Sequence, residues 1–107
     1  MVFSSGCGSV CVMSHPVRER VIEKYLCSEV QKAGGLCWKF SSPGNAGVPD
    51  RIVMCGGRVC FVEVKRPGEK PRALQVEMMR RMVSRGAWVE VVDSYESVDA
   101  LMRSITS

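Results

Sequence analysis

Apolar side chains at Val17, Val21, Ile22, Tyr25, Leu26, Val30 and Ala33 recur at helical spacing. They predict an amphipathic first helix, with Pro16 tolerated at its start and Gly34-Gly35 ending it. Leu36 to Phe40 reads as a short strand. The next seven residues, Ser41-Ser42-Pro43-Gly44-Asn45-Ala46-Gly47, carry too much turn chemistry to be anything but a loop. A hairpin follows, because Arg51 to Cys55 and Arg58 to Lys65 flank Gly56-Gly57, the two-glycine pattern of a tight antiparallel connection. Arg66 to Arg72 contains Pro67, Gly68 and Pro71 and is therefore an exposed loop. Ala73 to Arg85 predicts a second helix stopped by Gly86, Trp88 to Val92 a buried strand, and Tyr95 to Ile105 a closing helix entered through Asp93-Ser94. The order helix, three strands, helix, strand, helix implies an α/β fold, a mixed sheet flanked by helices. The strand after the second helix is expected to run parallel to a hairpin strand.

At 107 residues the chain suits one domain, and with 46% hydrophobic and 24% charged residues it should fold by ordinary burial. No apolar run approaches the roughly 18–20 residues of a membrane span, so a soluble protein with no membrane partner is expected. Met1 to Met13 lacks a basic start and is interrupted by Ser4, Ser5, Gly6, Gly8 and Ser9, which makes a poor signal peptide. With Met13 just ahead of the first helical pattern, residues 1–15 read as a dispensable extension and residues 16–107 as the domain. The six cysteines, Cys7, Cys11, Cys27, Cys37, Cys55 and Cys60, show no paired C-x-x-C spacing. They are expected to be reduced, mostly small buried hydrophobes rather than zinc ligands. His15 stands alone, which argues against histidine chemistry.

The formal charge of +4 is unevenly placed. Between Arg58 and Arg85 eight basic residues face only Glu63, Glu69 and Glu77, whereas the tail from Glu90 has four acids against Arg103. A basic centre suits a polyanion such as nucleic acid, although a solvated mixed surface would look the same by charge alone.

One cluster departs from ordinary patterning. Asp50 opens the first hairpin strand, Glu63 lies in the second, and Lys65, two residues on, projects from the same face as Glu63. Phe61 shares that face, while Cys60, Val62 and Val64 point the other way. Neighbouring half-buried acids are costly without a compensating cation, so two carboxylates beside a lysine suggest a divalent metal site open to substrate. The bland alternative is a solvated Glu63–Lys65 pair on an exposed edge.

Gly47-Val48-Pro49-Asp50, a twelve-residue hairpin spacer and Glu63-Val64-Lys65 together resemble the PD-(D/E)XK nuclease superfamily. Gly34-Gly35, Lys39, Ser42-Pro43-Gly44, Arg51, Phe61-Val62 and Gln75 narrow the likeness to the virus-type replication-repair nuclease (VRR-NUC) domain in its standalone phage or bacterial form. The resemblance spans roughly Arg18 to Leu101. It implies a restriction-endonuclease-like αβββαβ core, here followed by a C-terminal helix, in a metal-dependent deoxyribonuclease of the bacterial host's cytoplasm that serves repair or recombination. It further implies an acid on the first helix, for which Glu23 is the first candidate and Glu19 the second, and a site glutamine at Gln75. Asp50, Glu63 and the Val64 carbonyl, with Glu23, would hold Mg2+ or its substitute Mn2+, since oxygen donors favour these ions over zinc. Lys65 would hold the attacking water or face the developing charge. Lys39, Ser42, Arg51, Arg66, Lys70 and Arg72 are the expected DNA contacts. The substrate expected from the resemblance is branched DNA such as a four-way junction, cut by a homodimer. The competing reading from another class is a catalytically silent nucleic-acid-binding module, against which the intact Asp50, Glu63 and Lys65 argue.

Overall fold

The computed structural model describes residues 17–107; the proposed extension, Pro16, Cys7, Cys11 and His15 lie outside the described residues. The elements run α1 (Glu19–Lys32), β1 (Leu36–Lys39), β2 (Arg51–Cys55), β3 (Arg58–Val64), α2 (Ala73–Ser84), β4 (Val89–Val92) and α3 (Tyr95–Thr106). The sheet order is β1-β2-β3-β4, antiparallel through the first three strands and parallel between β3 and β4. The α/β class, the mixed sheet and the C-terminal helix are as the hydrophobic pattern predicts.

Local chemistry accounts for the boundaries. α1 buries Ile22, Leu26 and Val30, one residue per turn. It stops where Gly34 turns into the left-handed region at φ 81°. Gly35 then lets the chain pass close under the sheet: a Cβ there would stand 2.6 Å from the Met54 carbonyl oxygen. Gly56 and Gly57, at φ 60° and 79°, make the tight β2–β3 turn whose twist matches the flanking strands. Ser94 caps α3, its Oγ accepting the Ser97 N–H at 3.0 Å while Ser97 Oγ accepts the Ser94 N–H.

α1 and α3 cover one face of the sheet, closing a core of Ile22, Leu26, Val30, Val53, Cys60, Val62, Val64, Val92, Val98, Leu101 and Ile105. The opposite face is only partly covered by α2, which buries Gln75 and Met79 alone. Leu74, Val76 and Val83 are each more than half exposed, so these apolar side chains of the helix form a surface. The expectation of a buried strand at Trp88 to Val92 is corrected in the same region. Trp88 precedes the strand, and β4 is a sheet edge on which only Val92 is fully buried while Glu90 and Val91 face solvent. Continuous hydrophobicity reads as burial on both faces, whereas here α2 covers one face only in part. Among the described residues no helix is long and apolar enough to cross a membrane.

Candidate active site

The β2–β3 hairpin and the start of α2 assemble the site. Asp50 stands one residue ahead of β2, after a loop that is pressed against α2: a Cβ on Gly47 would meet the Leu74 carbonyl at 3.0 Å, and Gly47 has φ 88°. Pro49 is buried. So held, Asp50 accepts the Val64 N–H through Oδ2 at 3.1 Å, which ties its carboxylate to the end of β3 and to the backbone that follows Glu63.

Glu63 is 1% exposed, Lys65 8% and Gln75 8%. That burial excludes the solvated-edge reading of the Glu63–Lys65 pair. Lys65 Nζ stands 3.3 Å from Glu63 Oε2, and Gln75 Nε2 donates to the same oxygen at 2.8 Å. The orientation of Gln75 is fixed from its other end, because its Oε1 accepts the Arg72 N–H at 2.9 Å and caps α2. Only the amide nitrogen can then face Glu63. Burial pushes the Glu63 carboxyl above its ordinary value and Asp50 adds to the rise, while Lys65 pulls back and Glu19 raises it further.

Among the described residues no donor reaches the buried Glu63 Oε1. An orphaned carboxylate oxygen, with a second carboxylate near enough to raise its pKa, is a donor set with room for a cation. The oxygens are hard ligands, which suits magnesium or manganese. Among the described residues no three His, Cys, Asp or Glu side chains form a ready cage. Magnesium tolerates this, since it commonly takes one or two protein carboxylates and keeps water or phosphate oxygens as its remaining ligands.

A pH dependence follows from the raised Glu63 pKa. The group's contribution to stability is fully present below the ordinary carboxylate range and is lost as pH rises through its folded value, where the buried charge must form. A magnesium ion held there would offset that charge. Thermal melts should therefore show a larger magnesium-induced rise in midpoint at pH 8 than at pH 5, and equal rises would contradict a cation at Glu63.

The two helix-one acids are placed differently. Glu23 Oε2 accepts from Arg51 Nε at 2.8 Å in a half-buried ion pair, and Arg51 also donates to the Cys37 carbonyl at 3.4 Å. Glu19, one turn earlier, feels the charges of the site. Burial raises its pKa, the charges of Asp50, Glu69 and Glu23 add to the rise, and Lys65 opposes it. Arg51, expected as a DNA contact, is engaged by Glu23 and lines the same groove as Arg20, Lys24 and Lys39. Strand alternation puts it on the face of Val53 and Cys55, beneath α1, where Glu23 claims it. That parity was readable in the sequence; the choice of Glu23 as its partner was not.

The other expected contacts are dispersed. Lys39 is exposed beside a groove along α1 that also includes Arg20, Lys24 and Gln31. Ser42 accepts from Asn45 Nδ2 at 2.9 Å and stabilises its own turn. Arg66, Lys70 and Arg72 lie exposed on the loop ahead of α2, Arg66 with its Nε 3.8 Å from Glu69. Cys55 and Cys60 are buried as expected, whereas Cys27 and Cys37 are half-buried and touch each other.

No family model matches the chain. A relative described as "Putative nuclease p44", from Acyrthosiphon pisum secondary endosymbiont phage 1, is 49% identical over 81 residues, 75% of this chain and 87% of the relative. A solved structure described as a VRR_NUC domain is 37% identical and superposes with a TM-score of 0.74, covering 79% of this chain and 94% of that one.

Proposed function

The chain belongs to the VRR-NUC domain family, and on that premise we propose that it is a magnesium-dependent endodeoxyribonuclease, with manganese as a substitute, that cuts branched DNA such as four-way junctions. The observation that carries this reading is the buried Glu63–Lys65–Gln75 cluster at the end of the hairpin, in which one Glu63 oxygen is left without a partner and the carboxyl feels the charge of Asp50. The nuclease domain spans residues 16–107, with residues 1–15 an extension, and it acts in the cytoplasm of a bacterial host.

Asp50, Glu63 and the Val64 carbonyl would hold the metal, with Glu19 completing the acid set directly or through water in place of Glu23. When bound, a divalent cation lowers the pKa of the attacking water and neutralises charge on the phosphoryl oxygens. Gln75 keeps the Glu63 carboxylate in one orientation, so its free oxygen does not swing away. Lys65, a compact cation held at the site by Glu63, orients the water or faces the charge that builds on the phosphate. Incubation with duplex, flap, splayed and four-way DNA in magnesium tests the reading. Binding without cutting on every substrate would identify the silent module instead.

The loop ahead of α2 supplies phosphate contacts. Reversing the charge of Lys70 and Arg72 should weaken binding to all DNA sequences alike and make the salt dependence shallower by about one unit per lost contact. A sequence-selective loss would contradict this.

The working form is a homodimer. Symmetric cutting of a branched junction needs two sites about a two-fold axis, and one chain carries one site. Val76, Met79 and Val83 of α2 and Val89 and Val91 of the edge strand β4 line an apolar groove. A second copy can cover this groove and pair with the open edge. Light scattering at micromolar concentration should give twice 11.8 kDa, and Val76→Glu with Val83→Glu should give the monomer. A wild-type monomer that still nicks four-way junctions in symmetric pairs would defeat the argument.

A further inference from the structure

Cys27 on α1 and Cys37 on β1 bring their sulfur atoms within 3.0 Å. The contact is built by the core around it. Leu26 and Val30 bury the adjoining face of α1, and Cys37 pairs in register with fully buried Val53, so it faces the helix while Leu36 and Trp38 on either side face solvent. Arg51 fastens the same level of the structure, with Nε on Glu23, one helical turn from Cys27, and NH1 on the Cys37 carbonyl. Cys27 is open to solvent through the groove it shares with Arg20, Lys24, Lys39 and Arg51. Shortening the contact to the roughly 2.05 Å of a disulfide requires about 1 Å of sulfur movement. Among the described residues no cluster of three His, Cys, Asp or Glu includes the two thiols, so their geometry suits thiol–disulfide chemistry better than metal binding.

We propose that Cys27 and Cys37 are a modification site, at which a low-molecular-weight disulfide such as oxidised glutathione closes a reversible covalent clamp between α1 and the edge strand β1. Cys27 reacts first, because it is reached from the groove and has cations beside it. Burial and the neighbouring Cys27 thiol push Cys37 up to about 12, so it stays protonated while Cys27 makes the first attack. The Cys27 thiolate attacks one sulfur of glutathione disulfide; the S–S bond breaks, a mixed disulfide forms, and the first glutathione leaves and takes up a proton. Cys37 then loses its proton and attacks the Cys27 sulfur, and the second glutathione leaves as its thiol. Two protein thiols are oxidised by two electrons, and one glutathione disulfide is reduced to two thiols.

The clamp closes a short loop that contains the Gly34-Gly35 turn and so restricts the unfolded chain. It does not involve Asp50, Glu63 or Lys65. The proposal is therefore independent of the nuclease reading.

The full chain is incubated with excess oxidised glutathione, alkylated, digested and examined by mass spectrometry, with thermal melts in parallel. The expected result is a Cys27–Cys37 linked peptide, a chain lighter by two hydrogens and a melting midpoint raised by several degrees, all reversed by dithiothreitol. Cys27→Ser should lose both the link and the shift. The linked peptide is read in the wild-type chain, so the result does not depend on how that variant folds. Stable glutathione adducts on both thiols, a link from Cys27 to Cys7 or Cys11, no reaction at either thiol, or a Cys27–Cys37 link with an unchanged midpoint would each overturn the clamp.

Discussion

Asp50→Asn, Glu63→Gln and Lys65→Ala should each reduce cutting of branched DNA by about 10²–10³ or more while leaving DNA binding largely intact. On the proposed mechanism each substitution would remove a group that acts on the reacting phosphate or on the cation that activates water, and groups of this kind contribute at about that level. On the proposed reading, phosphate contacts from the exposed loop would supply most of the affinity and are untouched. Glu63→Gln is the most informative of the three, because its amide oxygen can still accept from Gln75 Nε2 and the packing is preserved. A melting midpoint near that of the wild type, with cutting gone, would separate chemistry from folding. Full activity in any one of the three would sink the site assignment, and loss of binding in step with cutting would move these residues from catalysis to docking.

The sheet and this site were legible in the sequence for a physical reason. Gly56-Gly57 sets the hairpin register, and that register brings the residue before β2 beside the end of β3, so Asp50 and Glu63 meet whatever the helices do. Alternation along β3 likewise put Glu63 and Lys65 on one face. What the sequence did not show depends on how separate elements settle against one another. The crossing of α1 over β1 decides that Cys27 meets Cys37, and no periodicity encodes a helix–strand crossing. The exposure of Val91 depends on how little of the sheet α2 covers, which the apolar run of β4 cannot report. The helix-one acid belongs to the same class: a helical wheel gives the angular position of Glu19 and Glu23, but which turn lies level with Asp50 is a matter of tertiary placement.

That placement makes the two glutamates separable by experiment. Glu19→Gln should lower cutting by about ten- to a hundredfold, in line with the loss of one supporting acid near the reacting centre, and should leave the melting midpoint nearly unchanged because the residue is exposed. Glu23→Gln should do the opposite. It leaves the Arg51 guanidinium half-buried without its anion, and hydrogen bonds to charged groups contribute about 1.5–3 kcal/mol, so the fold should lose stability. The cutting rate per folded molecule should fall far less than in Glu19→Gln. Reading both variants for rate and for melting midpoint distinguishes the roles, since a merely structural acid moves the second and a site acid the first. Abolished cutting with an unshifted midpoint in Glu23→Gln, beside full activity in Glu19→Gln, would restore Glu23 as the helix-one acid. It would also mean that the Arg51–Glu23 pair opens when DNA and metal bind.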